Sequence, residues 1–261
     1  MSPISVEAEM LHHAAGILID THAHHRGQLL LIASGTVSIT AEQGLWLAPP
    51  GLAVWVPPGI AHSAFYSESS SLINLQFAPL LCADLAPNCA LIVVSHLLRE
   101  LAHEAVRLNT LETDYATLDL VARLMAYQAQ RTWQGSALFV PHGHDRRLRA
   151  AMHILQTKPD EDINFDELAA LALTSSRTLA RLFVAETGMS FRRWREHLRI
   201  VLAIDRLARG QSVTHTALEL GYQSVSSFTT LFTRTLGHPP RKYMELLNLQ
   251  RPDSPLMANP R

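Results

Sequence analysis

Residues 221–237 read GYQSVSSFTTLFTRTLG, and this stretch decides the fold of the C-terminal part of the chain. Ser224 suits a helix N-cap, because its hydroxyl can accept from an otherwise orphaned backbone N–H. Phe228, Leu231 and Phe232 follow at +4, +7 and +8, the one-sided spacing of an amphipathic helix, and Gly237 supplies a left-handed stop. The same pattern stands 49 residues earlier, where Ser175, Leu179, Leu182, Phe183, Gly188 and Trp194 match Ser224, Phe228, Leu231, Phe232, Gly237 and Tyr243. One supersecondary unit therefore occurs twice.

Each copy has a second helix in front of it. Asn164-Phe165-Asp166-Glu167 is a capping-box pattern that opens a helix with Leu168, Ala169, Leu171 and Ala172 on or near its buried side. Ser212 opens the counterpart, Val213 to Leu220, which Gly221 ends. Helix, short turn, helix, repeated, predicts two helix-turn-helix units. Between them, Phe191 to Leu207 reads as one long helix, with Trp194, Leu198, Val201 and Leu202 on an apolar face and Arg192, Arg193, Arg195, Arg199 and Arg206 on a basic one.

Charge placement supports a nucleic-acid partner for this half alone. The chain of 261 residues has a formal charge of −1, but residues 1–141 hold five Arg and no Lys against eleven acids, a balance of −6. Residues 142–246 hold fifteen Arg and Lys against eleven acids, a balance of +4. With 48% hydrophobic and 17% charged residues the composition is that of a folded chain, and its length suits two domains. The apolar stretch Leu45 to Val56 is broken by Pro49, Pro50 and Gly51, too short for a membrane span. Met1 to Met10 carries Glu7 and Glu9 and lacks the make-up of a secretory signal, so a cytoplasmic location is expected. Cys82 and Cys89 are expected to be reduced and structural.

Residues 15–78 alternate short β-rich runs with turns: Leu29 to Ile32, Val37 to Thr40, Leu45 to Ala48, Ala53 to Val56 and Leu72 to Phe77. Within them His22-x-His24 precedes Gln28 and Gly35, and Gly51 leads to Pro57-Pro58-Gly59-x-x-His62. Residues i and i+2 of a strand share a face, so His22 and His24 are expected to look into a barrel that His62 joins from a neighbouring strand. His12, His13, His25, His142 and His144 belong to no such constellation and are expected to be solvated or in a linker. Residues 95–131 change to a helical period, with Leu97, Leu98, Leu101, Ala105 and Leu108, then Leu118, Val121, Ala122, Leu124, Met125 and Gln128.

The run Leu168-Ala169, Ser175, Leu179, Arg181, Phe183, Gly188, Arg199, Leu207, Gly210, Ala217, Gly221-Tyr222, Ser224, Phe228, Phe232, Gly237, Pro240 and Tyr243 resembles the DNA-binding domain of the AraC family of transcription regulators. The resemblance implies that the second helix of each unit lies in the major groove. Ser176, Arg177, Ala180 and Arg181 of the first unit and Val225, Ser226, Thr229 and Thr230 of the second would then face DNA. Thr230 departs from the long polar side chain often found there; Arg181, at the equivalent position, can bridge guanine O6 and N7 while Thr offers one hydrogen bond or a methyl contact.

The histidine spacings resemble the two cupin motifs, whose usual metal ligands map to His22, His24, Gln28 and His62. Gln28 replaces the more common Glu, and Tyr66 stands where Asn is typical. Two readings stay open: a divalent transition metal, Zn, Ni or Fe, or histidines lining a metal-free sensor cavity. The helical pair that follows is where the family dimerises, although its leucines can equally cap the barrel.

The expected fold is α+β. A cupin-like effector-sensing barrel spans 1–91, a helical dimerisation segment 92–131, a linker 132–147, the AraC-type DNA-binding domain 148–246 and a tail 247–261. The expected function is sequence-specific regulation of transcription by a homodimer on double-stranded DNA, under a small-molecule or metal effector, with RNA polymerase a further partner if it activates. The alternative, a metal-dependent cupin enzyme, leaves the C-terminal helices without a use.

Overall fold

The computed structural model describes residues 5–111, 115–131, 133–134 and 138–249. These form two units, one made chiefly of residues 5–41 and 46–134, the other of Glu42–Leu45 and residues 138–246.

The first unit carries β1 (Val6–His13), β2 (Ile17–His22), β3 (Gly27–Ser34), β4 (Val37–Ala41), β5 (Gly44–Ala48), β6 (Leu52–Val56), β7 (His62–Tyr66), β8 (Ser70–Phe77), β9 (Ala90–Val93), α1 (His96–Leu111), α2 (Tyr115–Arg131) and β10 (Trp133–Gln134). One sheet runs β1-β8-β3-β6-β9-β10, and β5-β4-β7-β2 are neighbours in the other. All five strand runs expected from the sequence are present.

The central strands β3, β6 and β8 of the first sheet are buried on both faces, and the period of two divides their residues cleanly. Leu29, Leu31, Trp55, Ile73, Leu75 and Phe77 lie on one face, in a core completed by Leu98 and Ala105 of α1 and Leu118 and Met125 of α2. Gln28, Leu30, Leu72 and Asn74 alternate with them and face the barrel interior, all of them buried. The helical stripe therefore covers the outer face of the sheet. Leu118 and Met125, exposed to 4% and 0%, belong to the barrel core and leave no apolar seam of their own for a second copy.

The second unit comprises β11 (Phe139–Pro141), α3 (Arg146–Thr157), α4 (Phe165–Leu171), α5 (Ser176–Thr187), α6 (Phe191–Ala208), α7 (Val213–Glu219), α8 (Val225–Leu236) and α9 (Pro240–Leu249). Asn164 and Glu167 form the expected capping box, and the side chains of Ser175, Ser212 and Ser224 each accept from a first-turn N–H. Helices α4 and α5 meet at 89°. The repeat offset is 49 between α5 and α8 but 48 between α4 and α7, because the second turn is one residue longer. Leu173 in the first turn and Gly221 in the second hold the same left-handed conformation, at φ 55° and 75°.

The segment expected as a linker, 132–147, is largely structured. Trp133 and Gln134 pair with β9, and β11 lies against α6, where Trp194 Nε1 donates to the Pro141 carbonyl (2.8 Å) and His197 Nε2 to that of Phe139 (2.7 Å). His142, expected to be solvated or in a linker, accepts at Nε2 from Gln156 (3.0 Å), and burial lowers its pKa. Helix α9 runs past the expected start of the tail at 247, and the tail beyond Leu249 lies outside the described residues. Cys82 and Cys89 are free thiols, and burial pushes Cys89 up to about 12.

Candidate DNA-reading surface and imidazole cluster

Helices α5 and α8 turn equivalent faces inward: Leu179, Leu182 and Phe183 in one, Phe228, Leu231 and Phe232 in the other. The faces left outside carry Arg177, Ala180 and Arg181 on α5 and Ser226 and Thr230 on α8, all exposed. Ser176, Val225 and Thr229 are half-buried, and the Ser176 hydroxyl donates to the Asp166 carboxylate of α4.

The basic residues separate into two groups once their partners are known. Arg192 and Arg234 share Glu196, Arg206 pairs with Glu219, Arg209 with Asp205 and Arg147 with Asp145. Arg195 lies over the Phe191 ring and donates to the Ile163 carbonyl, and Arg199 is buried. Much of the basic face read on α6 thus serves the unit's own structure. Arg146, Arg149, Arg177, Arg181, Arg193 and Arg241 are exposed and make no ion pair among the described residues, which leaves them free for phosphate. Glu186, the nearest acid to Arg181 along the helix, is engaged with the backbone N–H groups of His144 and Asp145 instead.

In the barrel, His22, His24 and His62 each offer a ligand atom within 4.8 Å of the others. His22 ends β2, opposite His62 in the register with β7, but His24 lies beyond the strand. The cluster therefore forms without the shared strand face expected of His22 and His24. Each Nδ1 faces a backbone carbonyl: that of Asp20 for His22 (2.8 Å), Arg26 for His24 (2.6 Å) and Ile60 for His62 (3.0 Å).

A carbonyl only accepts, so a proton on each Nδ1 satisfies these contacts, and that tautomer presents a lone pair at Nε2. Gln28 Oε1 lies 3.2 Å from Nε2 of both His24 and His62. Burial holds the His62 imidazole below its usual pKa; the Ile60 carbonyl opposes this, and His22 and His24 add to it. Tyr66 lies under the His13 ring at 4.1 Å, and burial pushes its phenol up to about 12.

Glu9 and Asn74 escaped the sequence reading. Gln28 Nε2 donates to Asn74 Oδ1 and Asn74 Nδ2 to Glu9 Oε1, both at 2.9 Å. Glu9 and Asn74 face each other across β1 and β8. Their separation of 65 residues hides the link from any local motif.

Two helix-turn-helix units in one domain and a barrel with a convergent polar cluster define a DNA-binding regulator with a sensor domain. Comparison with known proteins agrees. Residues 168–245 match the model of a helix-turn-helix domain and residues 11–126 that of the AraC-like ligand binding domain. The chain is 33% identical to the HTH-type transcriptional regulator NimR of Escherichia coli K12 over 234 residues, 89% of this chain and 85% of that protein. It is 34% identical to the HTH-type transcriptional regulator RipA of Corynebacterium glutamicum over 98 residues, 38% of this chain and 30% of RipA. The crystal structure of ToxT from Vibrio cholerae O395 aligns with 93% of this chain and 98% of its own, at 14% identity and a TM-score of 0.41.

The chain belongs to the AraC family of transcription regulators. It joins a ligand-binding domain to a helix-turn-helix DNA-binding domain, and the relatives it matches are named transcriptional regulators and activators.

The exposed Arg181 and the short Thr230 predict an unequal division of base reading. Arg181→Ala is expected to weaken binding to a specific duplex by ~1–3 kcal/mol, concentrated at one base pair, and Thr230→Ala to weaken it less. Fluorescence anisotropy at fixed salt checks this, and equal losses from the two substitutions would contradict it.

Proposed function

We propose that the chain is a cytoplasmic, homodimeric regulator that reads duplex DNA with Ser176, Arg177, Ala180 and Arg181 of α5 and Val225, Ser226, Thr229 and Thr230 of α8. We propose further that its barrel senses an effector through a divalent transition metal, Zn, Ni or Fe, held by His22, His24, Gln28 and His62. RNA polymerase is the additional partner in an activating mode.

The observation that carries the metal reading is the convergence of three imidazoles, each offering a ligand nitrogen within 4.8 Å of the others, with every Nδ1 also facing a backbone carbonyl. Lone pairs brought together without a donor repel, and a cation removes the repulsion. Histidine ligands fixed by a second hydrogen bond at the other ring nitrogen are the usual arrangement around such ions. Imidazole and carboxamide oxygen together suit borderline divalent ions. The ion would supply a Lewis-acidic point that orients a neutral or anionic effector.

The dimer reading moves to the outer ridge of α2. Leu120, Leu124 and Tyr127, exposed to 67%, 40% and 50%, lie at i, i+4 and i+7 on one helix face. A two-fold interface needs a single patch that meets its own copy, and this exposed apolar ridge supports that reading.

Two experiments test these readings. Elemental analysis after reconstitution with Zn, Ni or Fe and desalting should give one ion per chain for the wild type and none for His24→Ala. The DNA affinity of the variant should no longer respond to added metal. No uptake by the wild type would leave the histidines as cavity lining. In sedimentation, Leu120→Glu with Leu124→Glu should give a folded monomer, whereas Met125→Glu should unfold the barrel because it buries a charge in the core. A wild type that is monomeric at all concentrations would rule out the dimer.

A further inference from the structure

Gln28 faces the imidazoles with the wrong end for a cluster that merely satisfies itself. A carboxamide has an acceptor oxygen and a donor NH2 group of nearly the same shape. Beside the Nε2 lone pairs of His24 and His62, an unconstrained Gln would turn its NH2 group inward and donate to both. Here the oxygen points inward, 3.2 Å from each nitrogen.

The cause lies two residues away in the hydrogen-bond chain. Gln28 donates to Asn74 and Asn74 donates to Glu9. An ionised carboxylate can only accept. Turning Gln28 over would set its oxygen against that of Asn74, and turning Asn74 over as well would set the Asn74 oxygen against the carboxylate. Asn74 and Gln28 are exposed to 4% and 9%, so water does little to relieve a clash between the two amides, while the Glu9 carboxylate stands at the exposed end of the chain. Glu9 thus imposes one direction on the whole chain of amides. It does so from β1, facing Asn74 of β8, which pairs in turn with β3 where Gln28 sits.

We propose that Glu9 and Asn74 are positioning residues that make Gln28 an oxygen ligand toward a divalent cation, in place of a hydrogen-bond donor toward the histidines. This inference rests on the metal reading above. The polarity of a three-residue amide and carboxylate relay then decides whether the barrel cluster is a cation site or a closed polar network. The relay also restores part of what the Gln at position 28 lacks, by placing a carboxylate at its far end.

The relay makes a prediction that simple disruption does not. Glu9→Gln should weaken binding of Co²⁺, read by its visible absorption, by ten- to a hundredfold, because the amides can then turn over and satisfy the imidazoles. Combining Glu9→Gln with Asn74→Asp moves the acceptor-only group one step inward. Asp at 74 accepts from both Gln side chains, Gln28 keeps its oxygen inward, and Co²⁺ affinity should return to within a few fold of the wild type. Thermal melts of the metal-free proteins show whether each variant is folded. Unchanged Co²⁺ affinity in folded Glu9→Gln, or a loss that the double variant does not rescue, would overturn the relay while the metal reading stands. A wild type that binds no Co²⁺ would overturn both.

Discussion

The second unit is organised around one buried cation. Arg199, near the middle of α6, is 9% exposed; its Nε donates to the Pro159 carbonyl (3.1 Å) and its guanidinium lies 5.6 Å from the centre of the Tyr222 ring. Asp160 and Asp162 add favourable charge while burial opposes it. Gly221 approaches so closely that a Cβ there would lie 2.8 Å from the guanidinium, in a backbone conformation of φ 75° that already favours glycine. Pro159 precedes the first helix-turn-helix and Gly221-Tyr222 is the turn inside the second. A single side chain therefore ties both units to the helix between them. A buried guanidinium is costly unless its partners stay in place, so the same contacts that satisfy Arg199 fix the two reading helices.

Polar satisfaction organises the barrel cluster as well, through direction instead of charge. Three carbonyls choose the tautomers of three histidines, and one carboxylate chooses the orientation of two amides. A cation at the proposed site would meet donor and acceptor ends that are already set. Preorganisation of this kind lowers the cost of binding. His62, Gln28 and Asn74 are held in buried positions, whereas His22, at the end of the exposed edge strand β2, is open to solvent.

Local chemistry was the readable part of the sequence. Serine caps, the Asn164 and Glu167 box, the spacing at +4, +7 and +8 and the terminal glycines act within a few residues, and each was visible as a pattern. Interactions between distant segments were not. The periodicity of α2 shows an apolar stripe but not what covers it, so dimer contact and barrel cover both stayed open until Leu118 and Met125 were seen to cover the sheet. The arginines of α6 read as a basic face because their partners, Glu219 and the carbonyls of Pro159 and Ile163, belong to other elements. Strand β2 was hidden by its exposure, since an edge strand exposed along its length shows no alternation. The four candidate metal ligands were legible because their spacings resemble known motifs, whereas Glu9 and Asn74, which orient one of them, belong to no motif.

The central claim is that α6 holds two reading helices at a fixed separation on one face of DNA. Hydroxyl-radical footprinting of the full chain on a selected duplex tests it most directly. The account predicts, for each protein chain, two protected segments on the same face about one helical turn, ~10 base pairs, apart. A single protected segment per chain, or two on opposite faces of the duplex, would contradict it.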